Sequence, residues 1–331
     1  MAGLRSRRPD RRGVAGLPVK ILLTGASSFT GLWFARALHA AGHHVVAPLR
    51  RAREEYRGDV RASRVAELGR VAECGFATVF GDDRFLDLCR SASWDLLCHH
   101  AAEVGDYRSP SFDVAGALAA NTRNFSDVLT AMDGLCGVVL TGSVFEANEG
   151  AGTTPLRAFS PYGLSKGLTA DLVRFHCETA GVALGKFVIP NPFGPFEEPR
   201  FCAYLLRQWR AGQAAEVRTP AYVRDNIHVD LLAAAYVEFG ARVAAGSGFM
   251  RTNPSFYVET QGAFAERFAR EIGPRTGLDC RLTLAHQTDF PEPLVRINTD
   301  RIDLPCWNEP AAWDAIADCY LSETGVPAKV D

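Results

Sequence analysis

The chain has 331 residues, of which 47% are hydrophobic and 22% charged, so it can bury a large core as an ordinary globular protein. A formal net charge of −2 gives no reason to expect nucleic acid or an anionic membrane as a partner. No apolar run is long enough to cross a bilayer, and a cytoplasmic protein is expected. The nine cysteines form no Cys-x-x-Cys pair, so we expect free thiols and predict no metal site.

The first predicted elements surround a glycine turn. Residues 1–17, rich in arginine and glycine, are expected to form a disordered tail. An apolar run at 19–24 predicts a buried strand, and the apolar pattern at 29–41 predicts a helix. A tight turn between a strand and a helix lets backbone N–H groups hold a pyrophosphate. The residues predicted to bind a dinucleotide there are Gly25, Ser27, Ser28, Phe29, Thr30 and Gly31, with Ser28 where a glycine is usual.

The next predicted strand, at 44–47, bears on which dinucleotide binds. A site for NAD would end this strand with Asp or Glu to bind the ribose 2′-hydroxyl. Here Arg50, Arg51 or Arg53 could pair with a 2′-phosphate, so NADP is the predicted cofactor and NAD the alternative. A solvated basic loop is the other interpretation of these arginines. Asp82, after a predicted strand at 76–80, could accept a hydrogen bond from the adenine amino group.

The later elements continue the alternation of strands and helices. Strands are predicted at 94–98, 138–140 and 185–189, and helices at 114–132 and 162–179. This pattern predicts an α/β fold with a Rossmann-like, doubly wound parallel sheet over residues 18–190. Prolines at 190, 192, 195 and 199 predict a loop. Residues 191–331, with helices predicted at 202–211, 231–245, 261–272 and 309–322, are expected to form a smaller mixed α/β substrate-binding region. Parts near 225–260 could return to the first domain.

Tyr162 and Lys166 stand four residues apart in a predicted helix, so their side chains lie on one face. A free tyrosine, with a pKa of about 10, is a poor base at neutral pH, and a nearby cation would lower that pKa. The chain has only four lysines, at 20, 166, 186 and 329, and its other basic residues are arginines. Because arginine cannot be titrated in this way, the lysine suggests a chemical task. The spacing therefore predicts an acid/base pair.

Further segments follow the glycine turn in a fixed order. They are His100-Ala-Ala102, Asn121-Thr-x-Asn, Thr141-Gly-Ser143, Tyr162-x-x-x-Lys166, Asn191-Pro-Phe-Gly194-Pro and Arg224-Asp-x-Ile-His228-Val-Asp230. With these segments the chain resembles, over about residues 18–260, the extended short-chain dehydrogenase/reductase superfamily. Within that superfamily it is similar to the NAD(P)-dependent nucleotide-sugar epimerase/dehydratase family.

The resemblance implies a role for each matching position. Tyr162 would be the acid/base, Lys166 would bind the nicotinamide ribose and lower the Tyr162 pKa, and Ser143 would hydrogen-bond the reacting sugar oxygen. Thr141 is the second choice for the role of Ser143. The other implied positions are Ala101, Ala102, Asn121, Thr141 and Pro190 for the cofactor, and Ser143, Asn191, Arg200 and Arg224 for a nucleotide-diphosphate sugar. Relatives usually pair, so a homodimer is expected.

Two departures from the family pattern bear on the reaction. Phe145-Glu146 stands where Tyr-Gly is usual, and Ser143 is followed directly by Val144 instead of the Asp-Glu pair of 4,6-dehydratases. Dehydration is therefore less expected. The predicted function is an NAD(P)-dependent nucleotide-sugar epimerase that transfers hydride at sugar C4 through a 4-keto intermediate. The alternative is an NADPH-dependent 4-ketoreductase, and a non-catalytic dinucleotide sensor is disfavoured by the presence of Tyr162 and Lys166.

Overall fold

The computed structural model describes residues 18–152 and 156–321, so the predicted tail at 1–17 lies outside the described residues. Its strands, in chain order, are β1 (Lys20–Thr24), β2 (His44–Pro48), β3 (Glu73–Gly75), β4 (Leu96–His99), β5 (Gly137–Ser143), β6 (Ala151–Gly152), β7 (Ala183–Ile189), β8 (Asn191–Phe193), β9 (Ala215–Val217), β10 (Val223–His228), β11 (Phe249–Thr252), β12 (Pro254–Ser255), β13 (Tyr257–Thr260), β14 (Leu282–Leu284), β15 (Val295–Ile297) and β16 (Asp300–Arg301).

The helices, in the same order, are α1 (Phe29–Ala40), α2 (Val60–Leu68), α3 (Asp83–Arg90), α4 (Val114–Asn121), α5 (Phe125–Ala131), α6 (Pro161–Ala180), α7 (Phe201–Arg210), α8 (Val229–Ala245), α9 (Gln261–Thr276) and α10 (Glu309–Leu321). A short 3-10 helix at Arg53–Glu55 stands between β2 and α2. Within the described part of the chain, no helix has the length and apolar character that crossing a bilayer requires.

Seven parallel strands form the main sheet in the order β3-β2-β1-β4-β5-β7-β11. Helices α1, α2 and α8 pack on one face of the sheet, and α3, α5 and α6 pack on the other. The inner strands are largely buried and apolar, for example Lys20-Ile-Leu-Leu-Thr24, whereas the edge strands β3 and β11 are partly exposed. This arrangement confirms the predicted doubly wound parallel sheet.

Most of the chain after β7, together with β6, forms a smaller unit. A second sheet has the order β13-β10-β15-β6, with β8 paired to β10, and two further strand pairs join β12 to β16 and β9 to β14. Large aromatic side chains on α7, α9 and α10 pack together as its core, among them Trp209, Phe268 and Trp313. Helix α8 and strand β11 return to the main sheet, since α8 packs on α1 and β11 pairs with β7. The predicted end of the last helix at residue 322 lies outside the described residues.

Several predicted boundaries were wrong for local physical reasons. The third strand lies at Glu73–Gly75 and not at 76–80, because Ala77 has φ 53° and breaks the extended backbone just after Gly75. Phe80 is buried in the core beside Phe85 instead. The predicted helix at 114–132 is two helices, because Asn124 has φ 51° and its amide donates to the Gly81 carbonyl over 2.9 Å.

The predicted proline loop contains the short strand β8, which pairs in parallel with β10. Proline is tolerated at the edge of a sheet because its missing N–H is needed by no second neighbour. The chain after β8 is fixed to the rest of the protein by two buried contacts. Trp33 Nε1 donates to the Pro195 carbonyl over 3.0 Å, and Tyr320 Oη donates to Glu197 Oε1 over 2.9 Å.

The protonation of Glu197 makes the stability of the fold depend on pH. Burial raises the pKa of its carboxyl from 4.5 to about 7. The folded state therefore holds a proton that the unfolded chain releases, and the stabilising effect of that proton is lost as the pH rises from about 4.5 to about 7. Glu197→Gln keeps the shape and removes the titration, so its stability relative to the natural protein should rise by up to about 3 kcal/mol across this window.

Urea unfolding of both proteins at pH 4.5, 6 and 8 measures this difference. The buried histidines His99, His100 and His228 have lowered pKa values and act in the opposite direction, but both proteins share them. A constant difference in unfolding free energy between the two proteins at all three pH values would contradict the prediction.

Candidate active site

The glycine turn between β1 and α1 has the shape that a pyrophosphate requires. Gly25 has φ 72°, and a Cβ there would lie 2.7 Å from the Ala101 nitrogen. A Cβ at Gly31 would lie 2.2 Å from the Gly25 carbonyl oxygen. Ser28 caps the helix, since its Oγ accepts from Gly31 N over 3.1 Å. The first N–H groups of a helix have no intrahelical acceptors, so those of Phe29 and Thr30 fit an anion at this end.

A histidine that the sequence analysis used only to mark a segment connects this turn to the sheet. His100 Nε2 lies 2.9 Å from both Ser28 Oγ and Thr30 Oγ1, and its Nδ1 lies 3.0 Å from Thr141 Oγ1. Burial and the nearby Lys166 charge lower its pKa to about 3. His100 is therefore neutral, with one donor and one acceptor nitrogen for the three hydroxyls. The sequence signal for this contact was the pair of hydroxyl residues at the start of α1, Ser28 and Thr30, which need a polar partner when they are buried.

Helix α6 carries both predicted acid/base residues. It begins with a strong cap, because Ser160 Oγ accepts from Gly163 N over 3.2 Å and Pro161 occupies the first turn. Lys166 is buried, and its Nζ donates to the Thr141 carbonyl over 2.6 Å. This bond fixes the helix against the carboxyl end of β5. Burial lowers the Lys166 pKa, while the Glu146 carboxylate opposes that change.

The expected lowering of the Tyr162 pKa is not found. Burial raises this pKa above its ordinary value, the nearby Glu146 carboxylate raises it further, and the Arg200 guanidinium acts against them. The lysine ammonium is instead engaged with the Thr141 carbonyl. The phenol is therefore held in its neutral form, which is the form that can donate a proton.

Ser143 ends β5 beside the start of α6. Its N–H donates to Glu146 Oε1 over 2.7 Å, and its Oγ accepts from Phe145 N over 3.2 Å. A Cβ at Gly163 would lie 2.1 Å from the Phe145 carbonyl oxygen, so the helix packs directly on the loop that follows Ser143. This close approach places Tyr162 next to the serine loop.

The remaining cofactor candidates lie along the same edge of the sheet. Asn121 is buried, its Oδ1 accepts from Glu103 N over 2.7 Å, and its Nδ2 donates over 3.3 Å to Thr169 Oγ1, on the helix that carries Lys166. Ser27 lies in the glycine turn, Ala101 and Ala102 follow β4, and Pro190 follows β7. Together these positions fit a dinucleotide that runs from the glycine turn to Lys166.

Two of the residues predicted to contact the adenosine half of the dinucleotide already bond to other groups of the protein. Both Asp82 oxygens accept backbone N–H groups, from Phe85 over 2.8 Å and from Val79 over 3.2 Å. Arg50 lies at the end of β2 and pairs with Glu103 over 3.1 Å. The backbone carbonyl of Arg51 accepts a hydrogen bond from the Ala77 N–H over 3.0 Å. The Arg51 guanidinium takes no part in that bond. The adenine and 2′-phosphate roles remain predictions.

The three substrate residues predicted besides Ser143, namely Asn191, Arg200 and Arg224, do not come together in one cluster of contacts. Arg200 is exposed, and its guanidinium carbon lies 5.7 Å from the centre of the Tyr107 ring beside Tyr162. Asn191 Nδ2 donates to the Asp225 carbonyl over 3.3 Å. Arg224 is engaged within the protein, because its guanidinium donates to Glu292 over 2.9 Å and to the Pro293 carbonyl over 3.0 Å. A segment 68 residues away along the chain covers Arg224, which no local pattern could indicate.

Aromatic side chains that the sequence analysis did not assign surround the tyrosine. The rings of Tyr107 and Phe112 each lie 6.0 Å from the Tyr162 ring, edge to face. Phe145 lies 6.4 Å from Tyr107 and stacks on Phe159 at 4.6 Å. Tyr107 and Phe112 belong to an irregular segment between β4 and α4, where no periodic pattern marks them. They lie against the Tyr162 ring.

Comparison with known proteins agrees with this geometry. A family model described as the NAD dependent epimerase/dehydratase family matches residues 21–249. No protein of curated function matches the chain by sequence.

Solved structures of similar fold cover most of the chain. The UDP-glucose 4-epimerase of Thermotoga maritima, solved with UDP-glucose, covers 90% of this chain and 97% of its own at 18% identity, with a TM-score of 0.67. The UDP-glucose 4-epimerase of Brucella ovis, solved with NAD, covers 93% and 98% at 15% identity, with a TM-score of 0.70. The dTDP-glucose 4,6-dehydratase of Streptomyces venezuelae, solved with NAD and TYD, covers 92% and 98% at 18% identity, with a TM-score of 0.67. At these identities the likeness shows the fold.

The His100 contacts lead to a test of the glycine turn. His100→Leu should weaken binding of a reduced nicotinamide dinucleotide about tenfold, because the Ser28, Thr30 and Thr141 hydroxyls lose a shared partner worth about 1–3 kcal/mol. Fluorescence titration gives the Kd, and His39→Leu, at an exposed position of α1, is the matched control. An unchanged Kd in a folded His100→Leu protein would show that the imidazole does not position the turn.

Proposed function

The chain belongs to the NAD-dependent epimerase/dehydratase family, and from this premise we propose that it is a nucleotide-sugar epimerase acting at C4 of the sugar. The observation that supports this most strongly is the placement of Tyr162, Lys166 and Ser143 around the carboxyl end of β5, next to the glycine turn. Proton transfer coupled to hydride transfer is favoured by an acid/base group, a cation and a hydroxyl donor that lie close together. These three groups lie here between the proposed cofactor and substrate regions.

Each residue has a distinct task in the proposed reaction. A bound nicotinamide dinucleotide would accept the hydride and give it back. The turn at 25–31, Asn121 and Lys166 would hold that dinucleotide. Ser143 Oγ orients the C4 oxygen of the sugar, and Tyr162 exchanges a proton with that oxygen. Loss of the C4 hydride to the dinucleotide and of the hydroxyl proton to Tyr162 would give a 4-keto sugar. After the sugar has turned over, the same hydride would return to the other face of C4 and Tyr162 would return the proton to the oxygen. Positioning of the reacting atoms supplies much of the rate.

For the cofactor we propose NADP, with NAD as the alternative. Arg50 and Arg51 support NADP, since they follow β2 where an acid for the ribose 2′-hydroxyl is missing. Arg50 has an exposed carboxylate partner, Glu103, and exchanging an exposed pair for a phosphate costs little. The NAD found in the epimerase of Brucella ovis and the dehydratase of Streptomyces venezuelae supports the alternative.

The second candidate function is a nucleotide-sugar 4-ketoreductase. The raised pKa of Tyr162 favours it, because a neutral phenol is ready to protonate the oxygen of an incoming ketone. A dissociable NADPH would also suit net reduction. A 4,6-dehydratase is less well supported, since Glu146 is fully buried and cannot act as an acid or base on the sugar.

The proposed substrate is a nucleotide-diphosphate sugar, as in the Thermotoga maritima epimerase solved with UDP-glucose. Arg200, exposed beside the Tyr107 ring, is the better candidate for a diphosphate contact. We also propose a homodimer. Leu164, Leu168 and Phe175 are 47%, 39% and 64% exposed on α6, and an apolar stripe on one helix suits a second copy of the chain.

A panel of UDP- and dTDP-linked hexoses and 4-keto hexoses, each incubated with and without NADPH, tests the function. An epimerase forms the C4 epimer with no net consumption of dinucleotide, whereas a ketoreductase consumes one NADPH for each ketone. Dinucleotide binding without turnover of any substrate in the panel would contradict both.

Tyr162→Phe should lower kcat by about 10²–10⁴-fold, because the ring remains and only the proton-transfer group is lost. The Kd of the dinucleotide should change little. Steady-state kinetics with the best substrate of the panel, combined with a dinucleotide titration, gives both quantities. Wild-type kcat in the variant would remove Tyr162 from the mechanism.

Arg50→Ala combined with Arg51→Ala should weaken NADPH about tenfold or more, since charge-assisted contacts to the 2′-phosphate are lost. The affinity for NADH should stay within about twofold. Parallel fluorescence titrations with the two dinucleotides measure the ratio, and equal losses would refute the assignment of the 2′-phosphate.

A further inference from the structure

A buried arginine of the smaller unit bonds to two loop segments beside the candidate acid/base residue. Arg296 lies on β15 and is 2% exposed. Its Nε donates to the Val144 carbonyl over 2.6 Å, and its Nη2 donates to the Glu146 carbonyl. Its Nη1 donates to the Arg157 carbonyl over 3.4 Å. One guanidinium thus connects the serine turn (residues 143–146), which follows β5, to the segment that leads into α6.

The serine turn and the entry segment of α6 (residues 157–160) also bond to each other, next to Tyr162. The Phe159 N–H donates to the Phe145 carbonyl over 2.8 Å, and the two phenylalanine rings stack at 4.6 Å. A Cβ at Gly163, the residue after Tyr162, would lie 2.1 Å from the same carbonyl oxygen. The position of Tyr162 therefore depends on where the Phe145 carbonyl lies.

Strand β15 holds more of the chain between β5 and α6 than these two segments. Arg296 and Ile297 pair in antiparallel with Gly152 and Ala151 of β6. A Cβ at Gly150 would lie 2.1 Å from the Ile297 carbonyl oxygen, so the backbones pack closely before β6 as well. A strand about 150 residues later in the chain therefore fixes the described part of this connection.

A buried ion pair fixes the serine turn in addition to the β15 contacts. Strand β4 pairs with β5 only as far as His99, so the Ser143 N–H lies beyond the last β4 pair. Glu146 Oε1 accepts this N–H over 2.7 Å, and Glu146 Oε2 lies 2.5 Å from the Lys186 ammonium. Lys186 Nζ also donates to Glu149 Oε1 over 2.7 Å. The turn is therefore a rigid support for the residues that pack on it.

The chemistry of the Arg296 contacts indicates a specific role. Its acceptors are neutral carbonyl oxygens, and among the residues that the structure describes it forms no ion pair with a carboxylate. Burial of a charge without a counter-ion is costly. An apolar side chain would avoid that cost, but the carbonyls would lose their donor and the two segments their connection. The planar fork of donors that arginine carries suits a bridge between separate carbonyls.

We propose that Arg296 is a positioning residue: by bridging the serine turn and the entry segment of α6, it sets the place of the Tyr162 phenol. The proposal rests on the proposed function, in which Tyr162 exchanges a proton with the C4 oxygen of the sugar. Arg296 itself is buried and exchanges no proton with substrate. Its effect on the rate comes from geometry, since a misplacement of about 1 Å can cost about 10²-fold.

Hydrogen exchange, followed by mass spectrometry of peptides, tests the bridge without any substrate. Arg296→Met keeps an unbranched side chain and removes every donor. The amide of Phe159 should then exchange at least about tenfold faster, because the segments that it joins are no longer bridged. Amides of the glycine turn should exchange as in the natural protein.

Arg210→Met is the matched control, because it also removes a guanidinium bond to a backbone carbonyl of the smaller unit, that of Tyr320. It should leave the exchange of Phe159 unchanged. Equal exchange of Phe159 in Arg296→Met and Arg210→Met would overturn the proposal.

Steady-state kinetics with the best substrate of the panel gives an independent reading. In Arg296→Met, kcat should fall about 10–100-fold while the Kd of the dinucleotide stays within about twofold. In a protein that already carries Tyr162→Phe, the same substitution should lower the remaining kcat by less than about threefold, because the positioned group is gone. An undiminished loss in that background would indicate general structural damage and would overturn the proposal.

Arg296→Lys is a second variant, which separates the bridge from the charge and serves also if Arg296→Met does not fold. The lysine keeps the charge and reaches one segment, but it cannot bridge both, so kcat should again fall about tenfold. Natural kcat in Arg296→Lys would contradict the bridge.

The outcomes separate this proposal from the proposed function. If the natural protein turns over no substrate of the panel while Phe159 exchanges faster in Arg296→Met alone, the proposed function fails and the bridge by Arg296 stands. If the natural protein is active and Arg296→Met keeps the natural kcat, the positioning fails and the function stands.

Discussion

The hydrogen bond from the Lys166 ammonium to the Thr141 carbonyl is the contact on which the rest of the site depends. It joins α6 to β5 and thereby fixes the place of Tyr162, four residues earlier, beside Ser143. Thr141 also bonds to His100, which contacts the glycine turn. One threonine thus links the glycine turn to the helix that carries Tyr162 and Lys166, and a dinucleotide bound along this edge of the sheet would meet both.

The charges around the Tyr162 phenol explain why epimerisation and ketone reduction remain close alternatives. A lysine at four residues from a tyrosine suggests a phenolate, which suits removal of a hydroxyl proton. The structure instead gives a neutral phenol, because burial and Glu146 outweigh Arg200. A neutral phenol suits reduction of a ketone, whereas epimerisation needs both forms in turn. The balance between the Glu146 carboxylate and the Arg200 guanidinium therefore bears on the proposed chemistry.

The sequence predicted those features that depend on local pattern. The glycine turn, the approximate extent of α6 and the alternation that gives a parallel sheet all follow from residues close together in the chain. The contacts of Lys186 with Glu146 and Glu149 could not be predicted, because they join residues about 40 apart. The same holds for Arg224, which the 292–294 segment covers. The third strand was misplaced because Ala77 adopts a positive φ that its residue type does not favour.

A crystal structure with a bound nicotinamide dinucleotide and a nucleotide hexose tests the central claim most directly. The account predicts the pyrophosphate at the glycine turn, the Lys166 amine on the nicotinamide ribose, and the Tyr162 oxygen within about 2.6–3.2 Å of the sugar C4 oxygen. A sugar whose C4 oxygen contacts neither Tyr162 nor Ser143, or a dinucleotide bound away from the turn at 25–31, would contradict it.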